Sequence, residues 1–253
     1  MLVNSIIFTA LASLLSVEAA PTPQPSVSTP APVPLVSNAA EIASMLKTEA
    51  SVVDRLEALL KPNGTLLTGD ALRDLTVFDF NNQAPAAGAK GGSLLIASVD
   101  NFPILEGLGI STGVAFIEPC GLNIPHSHPR ASEMLTVIEG ILDAGFVQEN
   151  GFSTAIETQL GTFQATVFPM GSIHYQQNPT CSNATFVAAL GSSDPGRSDI
   201  ATNFWMLPSS IVNATLGFPN TIGGDNIDQW RDVLPVNLAA GVDSCLKKCG
   251  LSE

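Results

Sequence analysis

Cys120-Gly-Leu-Asn-Ile-Pro-His126-Ser-His128-Pro-Arg-Ala-Ser-Glu133 holds two of the chain's three histidines, spaced i, i+2. On an extended strand that spacing turns both rings to one face. Pro129-Arg-Ala-Ser132 allows a turn, so Glu133 can return on the next strand and offer a carboxylate oxygen to the same point. The third histidine, His174, follows the turn signal Pro169-Met-Gly171 between two β-prone runs and would enter near the start of another strand. Three imidazoles and a carboxylate brought to one point form a metal-ligating set. The alternative is three unrelated histidines, one or two satisfied in the core by a hydrogen bond.

Outward from this stretch the chain is a succession of short β-prone runs: residues 94–99 (LLIASV), 110–118, 134–140, 142–148, 154–160, 165–169 and 185–191, separated by Gly, Pro and Asn. Runs of this length and number predict a mainly β sandwich or barrel. No internal repeat appears, so one such unit is expected. Ahead of it, Asn38 stands three residues before Glu41, and Ile42, Met45, Leu46, Ala50, Val53, Leu56 and Leu60 follow at helical spacing. This predicts an amphipathic N-terminal helix over 38–62, ended by Pro62-Asn-Gly64. Beyond residue 208 a C-terminal helical extension over 209–253 is expected, including a helix at 225–234.

Residues 1–19 combine an apolar run with small residues where a signal peptidase reads, so they are expected to form a signal peptide although a basic leading region is missing. The run is short for a membrane span and lacks flanking Lys or Arg. Residues 20–37, rich in Pro, Ser and Thr, are expected to be a disordered linker. A secreted product gives meaning to the sequons at Asn63, Asn183 and Asn213. The 253 residues are 45% hydrophobic, enough for one well-packed domain, and carry 10 basic against 23 acidic side chains. With no basic face to neutralise phosphates, nucleic acid and membrane surfaces are excluded as expected partners.

The opening stretch, continued to Gly140, resembles the first motif of germin-like and spherulin-type cupins, including the HPRASE run. Phe168-Pro-Met-Gly171-Ser-Ile-His174-Tyr-Gln-Gln-Asn178 resembles the second. The resemblance spans about residues 78–213 and takes in Phe102-Pro-Ile-Leu-Glu-Gly-Leu-Gly-Ile-Ser111 and Ser193-Asp-Pro-Gly196. It implies a cupin jelly-roll β-barrel over 63–208, flanked by the helices, binding manganese through His126, His128, Glu133 and His174 and commonly assembled as a homo-oligomer. Two departures are Cys120, where germins usually have glycine, and two extra residues between Gly161 and Pro169. Neither touches a ligand.

Three imidazoles and a carboxylate are a harder set than thiolates, and water in the remaining positions would make the centre octahedral, which suits manganese or iron better than zinc. The resemblance tilts the choice to manganese, with Fe(2+) the alternative. Asn123 stands where germins place an asparagine that can hydrogen-bond a bound carboxylate; a turn residue serving its own backbone is the other reading. Glu106 falls where oxalate-oxidising germins carry a second substrate-binding asparagine, so facing the site it would repel a dianion; a solvated loop residue is the other reading.

Four cysteines allow three complete pairings. If the strands of His126 and His174 run antiparallel, opposed residues share a number sum of 300 to 302. Cys120 and Cys181 then face each other, and a disulfide between them is expected. Cys245 and Cys249 would close a small loop or pair between subunits. Function divides among a manganese oxidoreductase acting on superoxide or a small carboxylate, a non-catalytic extracellular metal- or ligand-binding protein, and a structural stress protein. Fold alone does not choose among these.

Overall fold

The computed structural model describes residues 30–252 apart from 83, 153 and 218–232. The leader expected at 1–19, most of the linker and the bulk of the helix expected at 225–234 lie outside the described residues. From Pro32 onward the chain is a single unit. It is a mainly β jelly roll built on two antiparallel sheets.

One sheet orders β1 (Gly92–Ala97), β2 (Ser111–Ile117), β9 (Ala184–Leu190), β4 (Glu133–Glu139) and β7 (Ala165–Phe168) in that sequence. The other orders β10 (Ser198–Asp199), β3 (Gly121–Ser127), β8 (Ile173–Gln177), β5 (Leu142–Val147) and β6 (Ile156–Leu160), with β11 (Ala239–Ala240) also paired to β3. Period-2 alternation decides which side chains go in. Ala115 and Ile117 of β2, Leu135 and Val137 of β4, and Phe186, Ala188 and Leu190 of β9 are buried against Leu142, Leu160 and Phe168. Glu133 heads the inward row of β4, with Leu190 and Phe168 as its cross-strand neighbours.

The strands match the β-prone runs, but the N-terminal helix is two. α1 (Ala39–Leu46) stops, and α2 (Val52–Leu60) begins after Ser51, which is extended and accepts the Asp54 N–H at 3.1 Å. Apolar spacing continues across the break, yet a serine free to cap a new helix competes with helix continuation. A third helix, α3 (Gly69–Thr76), follows. After β10 come α4 (Ile200–Trp205) and α5 (Ser209–Thr215), and near the C-terminus α6 (Asp243–Cys249).

The disulfide expectation is corrected. Cys120 pairs with Cys245 and Cys181 with Cys249, at Cα separations of 5.7 and 5.3 Å. The strands do run antiparallel, with His126 opposite His174, but a bulge between Asn123 and His126 shifts the register by one, so Leu122 faces Gln177. Just ahead of β3 the Cys120 N–H donates to the Thr180 carbonyl at 3.2 Å, so Cys120 meets Thr180 and not Cys181. α6 lies over this end of the sheet, and its two cysteines, spaced i, i+4 on one helical face, reach the two separate partners. Cys120 Sγ and Cys249 Sγ are 3.6 Å apart, so the bridges lie side by side. Sulfurs already joined as disulfides offer no thiolates, so this cluster is not a metal site.

Candidate metal centre

β3 supplies His126 and His128, the start of β4 supplies Glu133, and β8 supplies His174. All four are at least 95% buried, and their donor atoms lie within 4.8 Å of one another. Each imidazole is fixed by a carbonyl at its Nδ1: His126 to Ile124 at 2.8 Å, His128 to Gly196 at 2.5 Å, and His174 to Ser172 at 3.0 Å. With Nδ1–H donating to the backbone, each neutral ring presents the Nε2 lone pair to the centre. Phe168 stacks on the His174 ring at 4.4 Å and holds its plane.

Glu133 Oε2 lies 3.0 Å from His128 Nε2 and 3.3 Å from His174 Nε2. The His174 contact lacks hydrogen-bond geometry, and its buried Nε2 has no hydrogen-bond partner. Lone pairs and a carboxylate gathered this closely require positive charge between them. Donors about 2.1 Å from one cation at 90° to 109° stand roughly 3.0 to 3.4 Å apart, so the arrangement fits a divalent metal.

Electrostatics agree. Burial alone would raise Glu133, but the imidazoles of His128 and His174 beside it bring it down to about 2. Burial, followed by the Arg197 charge, holds His126 well below 6.5. Both groups take up protons more readily in the unfolded chain. A carboxylate depressed from 4.5 lends stability above that value and loses it as pH falls toward 2; a neutral buried histidine likewise loses its contribution below 6.5. The urea midpoint of metal-free protein is therefore expected to fall steadily from about pH 7 to about pH 4. A midpoint that rises on acidification would contradict the buried, neutral state of His126.

The bulge between Asn123 and His126 builds the site. Asn123 stands three residues before His126, an odd spacing that would turn it outward on a regular strand. The extra residue at Ile124-Pro125 restores parity, and the Ile124 N–H is taken up by Asn237 Oδ1 at 2.9 Å. Asn123 thus faces inward, 2% exposed, and its Nδ2 donates to Gln176 Oε1 at 2.5 Å. Its Oδ1 accepts from Arg197 Nη2 at 3.0 Å.

Arg197 escaped the sequence reading. The pairing of β10 with β3 sets Asp199 opposite His126, so Asp199 and Arg197, two residues apart, share the face of His126 and His128. The preceding loop is stapled by Arg130, whose guanidinium bonds the Asp194 carboxylate at 2.6 Å and the Asp194 carbonyl at 2.9 Å. Gly196, at φ +66°, turns its carbonyl to His128; a Cβ there would sit 2.8 Å from Arg130 Nη2. The only sequence signal was the lone arginine after Ser193-Asp-Pro-Gly196.

Glu106 is not at this centre. It follows a short 3-10 turn at Pro103–Leu105 and lines a separate groove with Leu46 of α1 and Val52, Arg55, Leu56 and Leu59 of α2. The charge-repulsion argument against oxalate falls with it, because motif position alone ignored how that turn packs on the N-terminal helices. The metal cavity is lined by Leu94, Ile96, Phe186 and Leu190 besides the polar groups. It leaves about 10 Å³ for the centre of a water-sized molecule, roughly one water. A roomier cleft of about 300 Å³ beside Phe116, Glu118, Glu139 and Asn183 has no histidine, so size alone does not mark the site.

Residues 78–221 match the family model described as Cupin. The chain is 36% identical to Spherulin-1A of Physarum polycephalum over 214 residues, covering 84% of this chain and 80% of the relative. It is 38% identical to Germin-like protein 8-9 of Oryza sativa subsp. japonica over 139 residues, 54% of this chain and 62% of that one. Among solved structures, recombinant oxalate oxidase in complex with glycolate superposes with a TM-score of 0.52, covering 62% of this chain and 82% of the other. At 21% identity that likeness is one of fold.

Proposed function

The chain belongs to the cupin family, and from that premise we propose that it is a secreted manganese protein whose centre takes a small anion or a dioxygen species. The observation that carries this reading is the common setting of His126, His128 and His174: three Nδ1 groups tied to backbone carbonyls and three Nε2 atoms turned to a buried carboxylate. A bound ion of this kind supplies open coordination positions and redox chemistry that no side chain here provides. The chain's own part is to fix the rings, exclude bulk water with Leu94, Ile96, Phe186 and Leu190, and admit only small species. An oxidoreductase acting on superoxide or a small carboxylate is the activity this suits.

The same tightness favours a second reading, a non-catalytic extracellular protein that holds its metal. Metal analysis of the purified protein is expected to give close to one manganese per chain; stoichiometric zinc, or no metal after remetallation, would overturn the proposal. Parallel assays of peroxide release from oxalate and of superoxide removal separate the two readings: activity in either supports the oxidoreductase, and silence in both the non-catalytic protein.

Secretion is supported by the sequence of residues 1–19 and by two disulfides among the described residues. Of the sequons, Asn63 and Asn183 are exposed, whereas Asn213 lies within α5 with its Oδ1 buried, so glycans belong at the first two. Assembly as a homo-oligomer belongs to the same reading: Phe116, Met134, Ile138 and Val167 form an exposed apolar array on the outer face of the β1-β2-β9-β4-β7 sheet.

A further inference from the structure

The cleft of about 300 Å³ away from the metal has its floor laid out in register on the outer face of the β1-β2-β9-β4-β7 sheet. Phe116 of β2 lies between Ser93 of β1 and Thr185 of β9, and Thr185 in turn pairs with Glu139 of β4. Residues directly opposite one another share a face, so these side chains form one row across the sheet. Ile117 and Ala184 are the last paired residues of β2 and β9, and just beyond them Glu118 and Asn183 close the end of the cleft. Phe116 is 40% exposed, and Glu118, Glu139 and Asn183 are exposed as well. An aromatic ring set among carboxylates and hydroxyls offers an apolar floor ringed by hydrogen-bond acceptors. A pyranose matches that pattern, with a face of C–H groups and a rim of hydroxyl donors.

The cleft also holds an attachment point for such a sugar. Asn183 is the acceptor of the sequon Asn183-Ala-Thr185, and Asn183 and Thr185 both line the cleft. Thr185 is about 7 Å further along the strand and Phe116 about 5 Å to the side of it, so a first sugar on Asn183 lies over the ring without any linker. We infer that Asn183 carries an N-linked glycan whose first N-acetylhexosamine is seated in this cleft, its apolar face on Phe116 and its donors turned to Glu118 and Glu139. Covalent attachment keeps the sugar at high effective concentration, so a shallow seat holds it. The glycan covers Phe116, one end of the exposed apolar array. Met134 and Val167, at the other end, pair in line with Ala189, which is four residues and roughly 13 Å beyond Thr185 on β9, and they stay open to a partner subunit. This rests on reading the chain as a secreted glycoprotein.

The test uses the full chain secreted from a glycosylating eukaryotic host. Glycopeptide mass spectrometry is expected to find Asn183 occupied, with Asn63, exposed in the turn after α2, as the internal reference. Peptide-N-glycosidase applied to the folded protein should release the Asn183 glycan about 10-fold more slowly from wild type than from Phe116→Ala, while release from Asn63 is the same in both. A second measurement needs no variant: the ring current of Phe116 should shift the proton resonances of the Asn183 sugar upfield in the folded wild type and not after denaturation. Equal release with and without Phe116 overturns the inference, and so does an unshifted sugar spectrum. An Asn183 left bare while Asn63 is glycosylated overturns it too, and leaves the glycoprotein reading standing. Both sites bare would overturn that reading and the inference with it.

Discussion

Replacing His174 with alanine is expected to lower metal retention by at least about 100-fold, because loss of a ligand should exceed the 10- to 100-fold cost typical of disturbing the groups that merely orient ligands. The ring is 2% exposed, stacked on Phe168 and held by the Ser172 carbonyl, so nothing else can move in to supply its Nε2. Its removal also leaves the buried Glu133 carboxylate with one fewer polar neighbour, which costs stability in the metal-free state. Dialysis against graded chelator, followed by elemental analysis, reads the effect. His128→Ala should behave alike, with the added loss of the Gly196 contact. If either variant held manganese as tenaciously as wild type, the four residues would not be the centre.

Removing one disulfide is expected to cost a large fraction of the domain's stability. With Cys181–Cys249 intact, the loop closed by Cys120–Cys245 runs from Cys120 to Cys181 and back along α6, roughly 65 residues, and its closure contributes about 4 kcal/mol in the chain-entropy model. The reciprocal loop is similar. A single-bridge deletion such as Cys120→Ala with Cys245→Ala should therefore remove a large fraction of a total near 5 to 15 kcal/mol, and loss of both bridges should unfold the chain. Urea denaturation of each pair variant checks this. A change of less than about 1 kcal/mol would mean that the bridges staple segments already held by packing.

The four ligands were legible because strand parity is written directly in the sequence: i, i+2 fixes a common face, and a turn followed by an acid fixes the return. The β runs were legible for the same reason. What escaped was whatever depended on a break in periodicity. The Ile124-Pro125 bulge leaves no trace in hydropathy, and the number sum of 301 that paired Cys120 with Cys181 matches neither the 300 of His126 and His174 nor the 299 of Leu122 and Gln177. Arg197 could not be placed, because its facing is set by a two-residue strand that no run of apolar residues announces. Glu106 was misassigned because a family position was carried across a 3-10 turn whose packing is decided by α1 and α2. The break at Ser51 hid behind unbroken apolar spacing, where a local cap outweighed the pattern.

The side-by-side bridges also bear on how the protein is made. Cys120 and Cys181 precede Cys245 and Cys249 in the chain, and in the finished fold Cys120 already bonds the residue next to Cys181. In a chain that stops before α6, then, the one intramolecular partner available to Cys120 is the wrong one. Correct pairing waits on the arrival of α6, and any early Cys120–Cys181 bond has to be reopened by thiol exchange. The disulfide pattern thus acts as a completion mark: a chain interrupted before α6 keeps its whole set of metal donors, yet it cannot acquire the covalent signature of the mature protein.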